Sequence, residues 1–101
     1  MVRILLCCSA GMSTSLLVER MKEAAAAEGV EAKIWAVSES VVKNEEGNFD
    51  ILLLGPQIRF RLKAFQKAYG DKLPVEMINM RDYGQMNGKA VFDWALGLLN
   101  K

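Results

Sequence analysis

Apolar positions along this chain fall into two kinds of run. Residues 2–7 and 50–54 are almost continuous. Val2 and Ile4-Leu5-Leu6-Cys7 flank a single basic interruption at Arg3, and Ile51-Leu52-Leu53-Leu54 has no interruption at all. Short continuous runs of this kind predict strands buried on both faces. Residues 31–37 differ, because Lys33 separates Ala32 from Ile34-Trp35-Ala36-Val37. Such partial alternation is expected of an edge strand. A fourth strand is expected over residues 75–79, after Pro74, a residue tolerated where an edge strand begins.

Between these runs the spacing turns helical. Leu17, Met21, Ala24 and Ala25 share one face of a helix that begins near Ser13–Ser15 and runs to about Glu28, with Glu19, Arg20, Lys22 and Glu23 opposite and Gly29 as its C-terminal cap. Ile58, Leu62, Phe65 and Tyr69 form the stripe of a helix closed by Gly70, and Val91, Trp94, Ala95 and Leu98 that of the last helix. Ser38 or Ser40 is expected to cap a short helix through Val41 and Val42. Tyr83-Gly84-Gln85-Met86-Asn87-Gly88 reads as a loop.

The order is β-α-β-α-β-α-β-α in one domain over residues 1–101, an α/β fold with a four-stranded parallel sheet. Inner strands 1 and 3 and edge strands 2 and 4 give the sheet order 2-1-3-4, with helices on both faces. The winding reverses between strands 1 and 3, so a ligand crevice is expected at their carboxyl ends. Residues 8–14 and 55–57 emerge there.

Composition narrows the chemistry. The net charge of +1 gives no electrostatic reason to expect nucleic acid or an anionic membrane surface. No apolar run approaches the ~20 residues needed to span a bilayer, so no membrane insertion is expected. The start of the chain is too short in apolar content for a secretory signal, and the two cysteines are adjacent and cannot staple a fold. A cytoplasmic location is expected. There is no histidine anywhere. That removes a Cys–His or Ser–His pair, a histidine metal site and a phosphohistidine on this chain, and no metal or cofactor is expected.

What remains is the stretch Cys8-Ser9-Ala10-Gly11-Met12-Ser13-Thr14-Ser15. A strand feeding a short loop of small and hydroxylated residues, then a helix, makes a bowl of backbone N–H groups that favours anions. A cysteine at its lip has its thiolate stabilised by the same field. The loop holds no lysine or arginine, so hydroxyls and amides would bind phosphoryl oxygens without a fixed cation. That suits a group that is held and then passed on, rather than hydrolysed.

The loop resembles the phosphorylation loop of enzyme IIB proteins of the bacterial phosphoenolpyruvate-dependent sugar phosphotransferase system, lactose/cellobiose family. Leu53-Leu54-Gly55-Pro56-Gln57-Ile58 and Tyr83-Gly84 resemble that family's later motifs at similar spacing. The resemblance implies that Cys8 is a phosphocysteine and that Ser9, Ala10, Gly11, Met12, Ser13, Thr14 and Ser15 cradle its phosphoryl group. It also implies a phosphohistidine donor, enzyme IIA, and an acceptor sugar carried by membrane-embedded enzyme IIC. The Ser-Ala-Gly-Met-Ser-Thr wording is similar to the cellobiose and N,N′-diacetylchitobiose subgroup, which points to β-glucoside-type disaccharides. The rim of the loop is expected to stay open and uncharged for in-line attack.

Three other readings stand beside this one. Low-molecular-weight tyrosine phosphatases and the arsenate reductases like them place Cys-x5-Arg in the same setting, but here the arginine position is Thr14 and the next is Ser15. Asp82 alone would not replace that arginine. A non-catalytic anion-binding module of the same fold is the second. As the third, Ser9–Ser15 would simply cap the first helix. Cys7 ends a buried strand on the face opposite Cys8 and is expected to be packing. Gln57 and Tyr83 are candidates for phosphate or partner contact. Arg59, Arg61, Lys63 and Lys67 form a basic face that is either solvated or a docking surface for enzyme IIA.

Overall fold

The computed structural model describes residues 1–8 and 14–100. The first strand, β1 (Val2–Cys8), lies at the centre of a parallel sheet. On one side it pairs with β2 (Ala32–Ser38), and on the other with β3 (Ile51–Leu54), which carries β4 (Val75–Met77) at the far edge. The order β2-β1-β3-β4 is the one expected from the hydrophobic pattern. Ile4 to Cys8 and all of β3 are fully buried, as strands covered on both faces must be.

Period-two alternation divides β1 between two cores. Ile4 and Leu6 face α1 (Ser15–Ala27), through Leu17, Met21 and Ala25, and α4 (Gly88–Leu99), through Val91, Phe92 and Ala95. Leu5 and Cys7 face the other side, where Val42, Phe49, Ile58 and Phe65 cover them. Those residues come from a 3-10 helix (Glu39–Glu45), the Phe49 turn, a 3-10 segment (Pro56–Arg61) and α2 (Leu62–Tyr69). Gly29 follows α1 with φ +70°, the left-handed conformation a C-terminal glycine permits.

Several boundaries differ from the pattern's expectation. Residues 83–84 are not loop: a short helix, α3 (Met80–Gly84), includes both, and Gly88 is the first residue of α4. Asn79 explains the first, since its side chain accepts from Asp82 N at 2.8 Å, ending β4 early and starting a helix. Asn87 does the same for α4 through Ala90 N. The core face of α4 includes Phe92, fully buried, while Trp94 and Leu98 are only half-buried. Gly88 sets that rotation. A side chain there would meet the Arg20 backbone at 2.4 Å, so glycine lets α4 lie directly on α1. The helix after β3 begins as 3-10, with Ile58 at non-helical φ −115°, and becomes α only at Leu62.

Candidate functional site

The carboxyl ends of β1 and β3 bring Cys8, Gly55 and Gln57 together. Gly55 follows β3 and donates its N–H to the Cys7 carbonyl at 2.8 Å, which fixes it beside the last residue of β1. A Cβ on Gly55 would lie 3.4 Å from Cys8 Cβ and 2.7 Å from Gln57 Oε1. The Gln57 carboxamide is therefore folded back over Gly55, on the side of Cys8. Pro56 next begins the 3-10 segment, which leaves Gln57 and Arg59 exposed and buries Ile58 between them.

From the other direction comes Thr14, at the N-cap of α1. It is fully buried, and its hydroxyl makes no capping hydrogen bond into the helix. Oγ1 stands 3.7 Å from Cys8 Sγ instead. The carbonyl of Thr14 accepts the first helical bond, from Val18 N at 2.9 Å. Ser15 is exposed at the first position of α1. Ser9, Ala10, Gly11, Met12 and Ser13 lie outside the described residues.

Cys7 and Cys8 are both fully buried but differ in surroundings. Cys7 sits in the apolar cluster with Leu5, Leu52 and Leu54. Burial, reinforced by the neighbouring Cys8 and by Glu39, pushes its thiol up to about 12. It stays protonated at any physiological pH and is no nucleophile. The sequence places Cys8 at an open lip. Its complete burial corrects that expectation; Ser38 of β2, Gly55 after β3 and Thr14 lie beside it.

Gln57 and Tyr83 line one cleft of about 490 Å³, walled also by Pro56, Arg59, Met80 and Gly84. Gln57 is exposed, and Tyr83 has 7% of its surface exposed, so the ring is wall rather than lure. Asp82 is paired with Arg81 at 3.5 Å. Of the basic residues after β3, Arg61 meets Glu39 at 3.6 Å and lies over the Phe65 ring, Lys63 and Lys67 are exposed, and only Arg59 lines the cleft. The sequence pattern groups these four as one face. The change from a 3-10 segment ending at Arg61 to α2 beginning at Leu62 divides them.

Ser38 is a second feature, one that the sequence marks only as a cap. It is in register with Cys8 across β1 and β2, and its hydroxyl lies 2.9 Å from that of Ser40. Among the described residues, no group of three or more potential metal ligands comes together, and no helix is long and apolar enough to cross a membrane.

The family model described as "PTS system, Lactose/Cellobiose specific IIB subunit" matches residues 3–93. The chain is 45% identical over 100 residues to the PTS system oligo-beta-mannoside-specific EIIB component of Bacillus subtilis, covering 98% of this chain and 97% of that one. It is 42% identical over 103 residues to the PTS system galactose-specific EIIB component of Lactococcus lactis subsp. cremoris, covering 96% and 95%. Among solved structures it is similar to the cellobiose-specific phosphotransferase IIB component of Borrelia burgdorferi, at 41% identity and a TM-score of 0.81 over 98% of this chain and 92% of that one.

Proposed function

Since the chain belongs to the lactose/cellobiose-specific IIB subunits of the phosphotransferase system, we propose that Cys8 is its phosphoryl carrier. The donor is a phosphohistidine on enzyme IIA, and the acceptor is a sugar held by membrane enzyme IIC, with the exchange taking place at the cytoplasmic face. The observation that carries this reading is the setting of Cys8: the last residue of the central strand, where the winding reverses, 3.7 Å from the hydroxyl of the residue that starts α1. Cys7 offers no competing thiolate.

In the first step Cys8 Sγ attacks phosphorus in line with the P–N bond of the donor. The S–P bond forms, the P–N bond breaks with its electron pair on the imidazole nitrogen, and that nitrogen takes up the proton the thiol gave up. In the second step a sugar hydroxyl oxygen attacks phosphorus, the S–P bond breaks, and the electron pair returns to Sγ, which regains a proton as the hydroxyl loses one. Neither step needs a metal or an oxidant. Thr14 Oγ1 and Ser15, with Ser9–Ser13, supply donors to the phosphoryl oxygens, and Gln57 and Tyr83 contact the phosphoryl group or the incoming partner.

The acceptor is a β-glucoside-type disaccharide such as cellobiose or N,N′-diacetylchitobiose, a reading that rests on the wording of the loop. The relatives named for oligo-beta-mannoside, galactose and cellobiose are 45%, 42% and 41% identical. With likeness so even, overall identity does not choose among these sugars. Labelled phosphoenolpyruvate, the general phosphotransfer proteins and a cognate enzyme IIA test the reading. A covalent, cysteine-linked label on this chain is expected. A chain that stays unlabelled would be an anion-binding module of the same fold instead.

A further inference from the structure

The cleft beside Cys8 holds more than a carrier loop requires. Its walls join Gln57, whose carboxamide lies over Gly55 next to Cys8, to Arg59, Met80 and the edge of Tyr83. Met80 is 66% exposed. An exposed, unbranched Met80 at the cleft is the kind of side chain that a protein surface buries. The charge in the cleft is also specific. Arg61 is matched by Glu39 and Arg81 by Asp82, but Arg59 makes no ion pair among the described residues. An unmatched cation beside the reactive strand end is complementary to an anion arriving there. The phosphorylated donor is anionic at the transferring group; the sugar acceptor is neutral.

We infer that this cleft, with Arg59 as its charged anchor and Met80 as its apolar contact, is the docking surface for the phosphohistidine-bearing face of enzyme IIA. The inference rests on the phosphoryl-transfer reading and adds to it a partner surface. Arg59 acts as a steering and positioning residue: it speeds encounter and aligns the donor, and takes no part in bond making at Cys8.

The test is rapid-quench transfer from phosphorylated enzyme IIA to the full chain, at several donor concentrations and ionic strengths. Arg59→Gln is expected to lower the second-order rate about tenfold at low salt. It should also flatten the salt dependence and leave the rate at saturating donor close to wild type. Arg59→Lys restores most of the loss. Met80→Ser raises KM roughly fivefold, as a truncated interface anchor does. Lys63→Gln, exposed on the same stretch but outside the cleft, leaves transfer unchanged. All these positions are exposed, so far-ultraviolet circular dichroism should report an unchanged fold. A wild-type chain that accepts no label overturns the phosphoryl-transfer reading itself. Wild-type labelling with Arg59→Gln and Met80→Ser keeping pace overturns the docking inference alone. So does a loss confined to transfer onto sugar in vesicles carrying enzyme IIC, which would assign the cleft to the membrane partner.

Discussion

Cys8 Sγ and Thr14 Oγ1 face each other at 3.7 Å, both fully buried, across the opening between the central strand and the first helix. The helix gives up a side-chain cap for this arrangement, since Thr14 occupies the N-cap without capping. Thr14→Val, which keeps the shape and deletes the hydroxyl, should slow formation of the phosphocysteine about tenfold, the scale of one lost donor to a transferring group. Cys8→Ser should abolish labelling and Cys7→Ala should retain it. Peptide mapping that finds phosphate on Cys7 would sink the assignment.

Gly55 couples the second loop to the first. A methyl group there meets Cys8 Cβ at an ordinary 3.4 Å, but Gln57 Oε1 at 2.7 Å, and the flexible amide is the group that must give way. The glycine has φ −65° and ψ 149°, which alanine adopts freely. Gly55→Ala should thus keep its stability, or gain about 0.5 kcal/mol from a stiffer unfolded chain, while displacing the carboxamide from beside Cys8. Its transfer rate should fall to that of Gln57→Ala. Equal rates for Gly55→Ala and wild type would mean that the carboxamide has no part in transfer.

At the opposite end of the sheet, Arg3 grips Asp50 through Nη2–Oδ1 at 2.7 Å and Nε–Oδ2 at 3.3 Å, and Asp50 Oδ2 also accepts the Arg3 N–H. The basic interruption in the first strand is thus a clamp on the residue that leads into β3. The Arg3 guanidinium holds the Asp50 carboxyl below the usual carboxylate range. A depressed value means that the contribution to stability is present above the ordinary pKa and is lost as pH falls through the folded one. Both side chains are about one-third exposed, so solvent screens the pair and its contribution is small. Asp50→Asn should lower the melting temperature at neutral pH and narrow its difference from wild type below about pH 3, as differential scanning calorimetry would record.

The strands and their order were readable because uninterrupted Ile51-Leu52-Leu53-Leu54 and the Lys33 break distinguish inner from edge positions before any contact is known. The buried stripe of α1 was readable for the same reason. Phe92 was not. Its burial depends on how closely α4 approaches α1, which Gly88 decides through a contact with the Arg20 backbone that no periodicity encodes. The short helix over residues 80–84 had a local signal, Asn79 three residues before Asp82, outweighed by the loop character of Tyr83-Gly84-Gln85-Met86-Asn87-Gly88. In the site, the strand end at Cys8 and the helix start near Thr14 were legible from the pattern. The burial of Cys8 arises from tertiary packing, and the separation of Arg59 from its basic neighbours from the change of 3-10 to α helix at Leu62.

Cys7 supplies a test of the packing that makes Cys8 distinctive. Burial against Leu5, Leu52 and Leu54 raises its thiol to about 12, so the folded chain holds a proton that the unfolded chain releases near the ordinary thiol value of ~8.5. The sign comes from proton counts. Below the ordinary value both states are protonated and stability is unaffected; above it the unfolded state binds fewer protons, and stability falls by up to ~1.4 kcal/mol per pH unit until the folded thiol itself ionises. Tyr69, also raised to about 12 by burial and its bond to Glu46, adds to the same alkaline decline in every variant. Comparison of wild type with Cys7→Ala therefore isolates the thiol. At pH 7 the variant should be less stable by about 1 kcal/mol, through the lost sulfur contacts. Above pH 9 the difference should shrink and then reverse, as urea denaturation at pH 7, 9 and 10.5 would measure. A difference that stays constant across that range would mean that Cys7 ionises as readily folded as unfolded, and the assignment of an inert core thiol beside a reactive one would fail.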